Sequence, residues 1–396
     1  MRIDSVDMFY LAMPEVLDIG DGSQDMVLVR VRAGDWTGWG ECESSPLPTI
    51  AALIGPMSHS ACHPVIDSVL GQRLDSTADI ARISDEVRAR SLDVLQTDHT
   101  LSGIEIALWD LYGKSVERPV YELLGAWGKG PLVGKTPYAS ALFGDTAEET
   151  LAKARSSVAA GYRAVKFGWG PYGRTSVEAD ADQVHAAREG LGPDGILLID
   201  AGTVWGDDLA LAEHRIAALN EVDALWLEEP FVSGALQSYA NLAAKSGAVK
   251  LAGGEGAHTR HMAEHMIDHG GIGFVQIDTG RIGGIGPAHE VWKYAHARGV
   301  QYVNHTFTSH LALSASLQPY AGSSSDWLCE YPVELKSLAV DLTSNHIELD
   351  GDGTIRPPEA PGLGMSLDLD AVRPYLVEVD ITVAGKTLYR TPELTH

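Results

Sequence analysis

Ile196-Leu197-Leu198-Ile199-Asp200, Ala224-Leu225-Trp226-Leu227-Glu228 and Lys250-Leu251-Ala252-Gly253-Gly254-Glu255 are three short apolar runs, each closed by an acid. They are too short for helices and lack the in-out alternation of a half-exposed strand, so each reads as a buried parallel strand. The same pattern extends in both directions. Ala164-Val165-Lys166 precedes them, and Phe274-Val275-Gln276-Ile277-Asp278, Val300-Gln301-Tyr302-Val303-Asn304-His305 and Trp327-Leu328-Cys329-Glu330 follow. The polar ends are separated by 34, 28, 27, 23, 27 and 25 residues, each interval being about one strand, one helix and two loops. A further strand near Gly134–Ser140 makes eight. A doubly wound sheet shares the alternation, but this many strands in a row with functional endings favour closure into a (β/α)8 TIM barrel. In a barrel all strand C-termini share one mouth.

The N-terminal third has a different texture. Met26–Val31 and Trp36–Glu41 read as a hairpin around Gly34-Asp35. From Ser76 to Leu124 the pattern turns helical, with Leu101, Ile104, Ala107, Leu108 and Leu111 on one face. Pro14–Asp25 and Ser44–Pro56 read as accessible loops. Strands followed by helices indicate an α+β unit. Beyond Gly351 a proline-rich stretch leads to a strand-like run, Leu376–Val383, expected to return to that unit. The chain thus divides into 1–128 (an α+β capping domain), 129–355 (the barrel) and 356–396 (a tail returning to the cap).

Composition narrows the function classes. Forty-five per cent of the 396 residues are hydrophobic and 21% charged, which is globular. The net charge of −25 argues against nucleic acid as a partner. No run approaches the ~18 apolar residues of a membrane span, and Met1–Asp7 has no apolar core of a secretory leader. A cytoplasmic protein is expected. Cys42, Cys62 and Cys329 are far apart and odd in number, suggesting neither a disulfide framework nor a zinc cluster.

Asp200, Glu228 and Glu255 close consecutive strands. Three acids in one mouth raise one another's pKa unless a cation neutralises them. An all-oxygen donor set suits a hard divalent ion, Mg²⁺ before Mn²⁺. The bland alternative, that each acid caps a helix, is weaker for three at matching positions. Glu229 alternates away from the site. Asp278 and His305 close neighbouring strands, so the carboxylate can orient the imidazole and raise its basicity. Glu330 is placed to hydrogen-bond an oxygen gaining charge. Lys166, across the mouth, is either a base or a fixed positive charge. The stripe His258, His261, His265 and His269 reads as a solvated helix face, and Gly280–Gly286 as a tight loop at the mouth rather than a nucleotide fingerprint.

With these residues in view, the chain resembles the enolase superfamily, in its mandelate racemase and muconate lactonizing branch. Leu101–Lys114 followed by Pro119–Gly125 is similar to that branch's signature helix, and Gly38-Trp39-Gly40-Glu41 to its N-terminal hairpin. Leu198–Ala201, Trp226–Pro230 and Gly253–Glu255 resemble its three metal-ligand motifs, and Asp278 with His305 its dyad. The resemblance implies a cap formed by both chain ends, with loops near Leu17–Gly22 and Ser44–Ile54 closing over the mouth. It also implies metal-assisted removal of the proton α to a carboxylate; the pairing of a Lys or His base with Mg²⁺ is the general pattern of this superfamily.

The chain departs from the family at the second strand, where Lys166-Phe167-Gly168 stands in place of Lys-x-Lys, Lys-x-Arg or Lys-x-His. Glycine transfers no proton, so a two-base racemase does not fit. One base suffices for dehydration of a sugar acid to a 2-keto-3-deoxy acid. The alternatives are a cycloisomerase or epimerase acting on a sugar-acid lactone or anhydrosugar acid and, from another class, a non-catalytic metal-binding barrel. Trp169, Tyr172, Arg174, Asn304, Thr306 and Tyr138 are candidate contacts to a small carboxylate substrate. A homo-oligomer is expected.

Overall fold

The structure is a computed structural model and describes residues 1–125 and 132–395. The expected boundary at 128–129 lies outside the described residues. The cap begins with strands β1 (Ser5–Ala12), β2 (Asp25–Ala33) and β3 (Trp36–Cys42), paired antiparallel in that order. The helical region expected from Ser76 to Leu124 consists of α2 (Thr77–Arg90), α3 (Thr97–Ser115) and a short α4 (Val120–Leu123), and a further helix, α1 (Pro46–Ile54), precedes it. α1 lies where a loop was expected. Its prolines, Pro46 and Pro48, sit in the first turn, where their missing N–H groups cost nothing.

Helix α3 packs directly on β3 because Gly38 and Gly40 lack side chains. A Cβ on either would stand 2.0 Å from the Ala107 carbonyl oxygen or 2.1 Å from that of Gly103. Ionic and polar contacts fix the docking. Asp110 of α3 accepts the Trp39 N–H (2.9 Å) and the Leu363 N–H (2.9 Å), and pairs with Lys114 (2.6 Å).

Eight parallel strands follow: β4 (Thr136–Leu142), β5 (Ala164–Gly168), β6 (Ile196–Asp200), β7 (Ala224–Glu228), β8 (Lys250–Gly253), β9 (Phe274–Asp278), β10 (Gln301–His305) and β11 (Leu328–Pro332). They form one sheet in the order β10-β9-β8-β7-β6-β5-β4-β11 with helices between them, the architecture of a (β/α)8 TIM barrel. Thr146, Ser176, Asp208, Thr259 and Ser309 cap the connecting helices with their own side chains, each contributing about 1 kcal/mol. Where β10 meets β11, Asn304 replaces the missing backbone ladder. Its Oδ1 accepts the Glu330 N–H (2.8 Å) and its Nδ2 approaches the Glu330 carbonyl (3.4 Å).

The barrel floor is apolar. Tyr138, Leu198, Trp226, Phe274, Val303 and Leu328 fill it, with Tyr138 edge-on to Trp226 (5.5 Å, 88°). Burying aromatic side chains of this kind contributes about 1.5–3 kcal/mol each. At the other end of the chain, β12 (Leu376–Val377) pairs with β1 through Tyr10 and Val377. The expected run to Val383 is split, because β13 (Asp380–Val383) leaves that sheet to form a hairpin with β14 (Lys386–Arg390). Among the described residues, no helix is long and apolar enough to cross a membrane.

Candidate active site

The strand ends of β5 to β11 carry the polar residues; Lys166, Asp200, Glu255 and His305 line a cavity of about 630 Å³, while Glu228, Asp278 and Glu330 are buried and do not line it. Asp18–Gly22 of the cap form part of its wall, together with Glu43, Lys166, Trp169, Arg174, Asp200, Glu255, Arg281 and His305. The second expected closing loop, Ser44–Ile54, does not line the cavity. It is mostly α1, and only the adjoining Glu43 reaches in.

Lys166 is the electrostatic hub. Its Nζ lies 2.7 Å from Glu228 Oε1, 2.9 Å from Glu330 Oε1 and 3.7 Å from Asp200 Oδ2. All four groups are buried. Burial works against the ammonium, but Glu228 and Glu330 outweigh it and hold the pKa well above the ordinary lysine range. Its carboxylate neighbours favour the ammonium form. Burial raises Asp200 to about 6 and pushes Glu228 upward despite Lys166. Glu330 is oriented from three sides: it accepts from Ser140 Oγ (2.8 Å), the Thr306 N–H (2.8 Å) and Lys166.

A second cluster faces the first. His305 Nδ1 meets Asp278 Oδ2 at 2.6 Å, and the Gly280 N–H fixes the other oxygen at 2.6 Å. That arrangement directs His305 Nε2 into the cavity, 3.2 Å from Glu255 Oε2. Arg281 reaches Glu255 Oε1 (3.1 Å) and Glu43. Burial favours a neutral His305 ring, yet Glu255, Glu330, Asp278 and Glu43 outweigh it and raise its pKa well above the usual range. Asp278 moves the other way, since His305 and Arg281 overcome the burial that would raise it.

The three expected metal ligands therefore fall into two groups. Asp200 and Glu228 share Lys166, whereas Glu255 pairs with Arg281 and His305. Their donor chemistry still fits a hard divalent cation: all oxygens, anionic, at neighbouring strand ends. The buried Glu229 Oε1 beside them has no hydrogen-bond partner, and burial holds that carboxyl well above its ordinary range. Elsewhere, His59, Cys62 and Asp93 also converge on the cap surface. There, however, the Ala61 N–H donates to His59 Nδ1 (3.3 Å), which leaves the ring proton on Nε2, facing the other two groups. The arrangement presents an N–H rather than a lone pair to an ion.

Of the expected substrate contacts, Trp169 and Arg174 line the cavity. The Trp169 ring lies between Gly20 and Gly202, whose missing side chains give it room; a Cβ on either would approach it to 2.8 or 2.9 Å. The other four are corrected by their burial. Tyr138 belongs to the barrel floor. Tyr172 stacks on Phe143 (4.9 Å, 13°) in the layer behind β5. Asn304 closes the β10–β11 seam, and Thr306 serves Glu330 through its backbone. Glu43 and Arg281 went unnoticed in the sequence. Arg281 follows Asp278 by three residues in the glycine-rich loop, and that position at the mouth was the available signal.

Gly168 also has a physical explanation. It pairs in register with Asp200, and a Cβ there would lie 2.7 Å from Asp200 Oδ2 and 2.9 Å from Asp200 Cβ. In this structure a side chain at position 168 would therefore displace Asp200.

Comparisons with known proteins agree with this architecture. A model of the mandelate racemase/muconate lactonizing enzyme N-terminal domain matches residues 11–125, and one described as enolase C-terminal domain-like matches residues 149–371. The D-galactarolactone cycloisomerase of Agrobacterium fabrum is 29% identical over 366 residues, 88% of this chain and 90% of that protein. The D-galactonate dehydratase of Ralstonia pickettii is 29% identical over 352 residues, 84% of this chain and 86% of that protein. The crystal structure of a predicted mandelate racemase from Rhodobacter sphaeroides superposes with a TM-score of 0.94 at 58% identity, covering 99% of this chain and 100% of that one.

Proposed function

The chain belongs to the mandelate racemase and muconate lactonizing enzyme family of the enolase superfamily, and from that premise we propose that it dehydrates a sugar acid by removing the proton α to its carboxylate. The observation that carries the proposal is the His305–Asp278 pair, joined at 2.6 Å, in a cavity that His305 and Lys166 both line. Asp278 fixes the ring and stabilises its charged form, so His305 Nε2 is the group positioned to accept a proton. Lys166, pinned by three carboxylates, supplies a fixed positive charge where negative charge develops. Glu330, held by Ser140, Thr306 and Lys166, lies beside it.

Asp200, Glu228 and Glu255 are the residues to hold Mg²⁺, with Mn²⁺ as a substitute. When bound, the ion supplies Lewis-acid neutralisation of the substrate carboxylate and relieves the surplus of negative charge around His305. A positioned base contributes about 3–5 kcal/mol of the ~8–23 kcal/mol that an enzyme removes from a barrier. Charge neutralisation carries the rest.

Glycine at position 168 carries no proton-transfer group, and His305 is the base in this reading. Dehydration needs only one: the protonated imidazole returns its proton to the departing β-hydroxyl, water leaves, and a 2-keto-3-deoxy acid results. Cycloisomerisation is the second reading, favoured by the likeness to a galactarolactone cycloisomerase. The cap, from residues 1–128 and 356–396, closes over the barrel of residues 129–355 and sets specificity through Asp18–Gly22.

A panel of mono- and diacid sugars and their lactones, incubated with Mg²⁺ in D₂O, tests this. Dehydration gives an α-keto product, whereas cycloisomerisation conserves mass. His305→Asn is expected to slow α-proton exchange by about 10²–10⁴-fold while Mg²⁺ binding persists. Exchange at the wild-type rate in that variant rejects the assignment of the base.

A further inference from the structure

Helix Ile285–Ala297, which follows β9, starts at Gly284 and has no side chain of its own to cap it. The cap domain supplies one. Glu105 of α3 accepts the Ile285 N–H at 2.7 Å through Oε2 and the Gly286 N–H at 2.9 Å through Oε1, while Trp109 Nε1 donates to Oε1 at 2.8 Å. One turn earlier, Ser102 Oγ accepts the Gly283 N–H at 2.8 Å. Position 284 has φ of 111°, and a Cβ there would stand 2.1 Å from Glu105 Oε2, so the carboxylate and the glycine are matched in shape.

A parallel arrangement holds the neighbouring strand. Ser309 caps helix His310–Leu317, accepting from Leu311 (3.1 Å) and Ala312 (3.3 Å), and its hydroxyl donates to Glu41 of β3. Glu41 and Glu105 are each 2% exposed. A helix end is satisfied more cheaply by a local Ser, Thr or Asp, because sinking a carboxylate costs desolvation energy. Two such carboxylates grip the first turns after β9 and β10, the strands ending in Asp278 and His305.

We propose that Glu41 and Glu105 are positioning residues for the Asp278–His305 pair, so that docking of the cap sets the geometry of the dyad. Catalytic groups need placement within about 0.5 Å of the productive geometry; Asp278 and His305 are the last paired residues of β9 and β10, so the chain that follows each of them, 279–284 and 306–309, bears directly on how the two side chains are held. The two clamps fix both loops against the same β3–α3 unit, which Gly38 and Gly40 pack tightly. The ends of both dyad strands are thereby held against one rigid body. The importance of this geometry for catalysis rests on the reading of His305 as base; the geometry itself does not.

The test is the proton NMR resonance of the His305 Nδ1–H, assigned by its loss in His305→Asn. In Glu41→Gln and in Glu105→Gln it is expected to move upfield and to exchange with solvent about tenfold faster, as the bond to Asp278 loosens. Val31→Ala, which weakens the cap core away from both loops, should lower Tm without moving the resonance. Should Glu105→Gln fail to fold, Ser102→Ala removes one bond of the same clamp. With a substrate that exchanges, the clamp variants should lose up to about 10²-fold in kcat with little change in KM. An unmoved resonance in folded variants at both clamps, or an equal movement in Val31→Ala, overturns the proposal. If no sugar acid exchanges at all, the function fails and the resonance still decides the clamp.

Discussion

Replacing Lys166 by methionine removes one charge from a buried group of four. The ammonium lies 2.7 Å from Glu228, 2.9 Å from Glu330 and 3.7 Å from Asp200, each at most 5% exposed. Methionine fills similar space, so the loss is electrostatic rather than a cavity. Removing one partner of a buried ion pair costs about 3–5 kcal/mol. At ~2.1 cal/mol/K per residue, unfolding of a chain this long has an entropy near 0.8 kcal/mol/K, so Tm should fall by about 4–6 °C. The direction with pH follows from the acids. As pH falls toward 5, Asp200 and Glu228, both raised by burial, take up protons, and a neutral carboxyl needs no counter-charge, so the difference between wild type and variant narrows. Differential scanning calorimetry at pH 8 and pH 5 without divalent ions reads both effects. Equal Tm values at pH 8, or a gap that stays constant down to pH 5, would refute the role of Lys166 as the shared counter-ion.

Gly168→Ala places a methyl 2.7 Å from Asp200 Oδ2, so Asp200 must turn. Mg²⁺ affinity measured by calorimetric titration should weaken by about 10-fold or more, and unchanged affinity would mean that Asp200 is not a ligand. The clamp carboxylate Glu105 gives a pH signature of its own. Burial raises it to about 7 from the ordinary 4.5. The folded state therefore binds more protons than the unfolded one between those values, and stability falls as pH rises through that window. The stabilisation is fully present below pH 4.5 and lost above 7, about 3 kcal/mol at most. Glu105→Gln should flatten the Tm profile between pH 5 and 7; a profile parallel to wild type would place the Glu105 pKa outside that window.

Much of the barrel was legible because its signal is local. A buried parallel strand must be continuously apolar until it reaches the mouth, so Ile196–Asp200 and Ala224–Glu228 could be read to the residue. Convergence of their ends then follows from closure, without knowledge of any contact. The errors have an equally definite cause. Tyr138 and Tyr172 are polar near strand ends, but alternation says only whether a side chain points inward, not how deep it sits or what packs over it. For Asn304 and Thr306 the information was available. They flank the inward-facing His305, so alternation turns them away from the cavity.

What the sequence determined by itself is the repeating β/α period, the acids, lysine and histidine at its strand ends, and the glycine that removes a second base. Each of these is written within a few residues of chain. Only the tertiary structure decided which charges meet. Lys166 joins Glu228 across 62 residues, Ser309 meets Glu41 across 268, and Glu105 caps a helix 180 residues away. Electrostatic and hydrogen-bond energies fall off over a few ångströms of space, whereas sequence records only distance along the chain. The pairs that set charge in the site exist only once the barrel strands have come together, and the clamps that hold its helices only once the cap has packed against it.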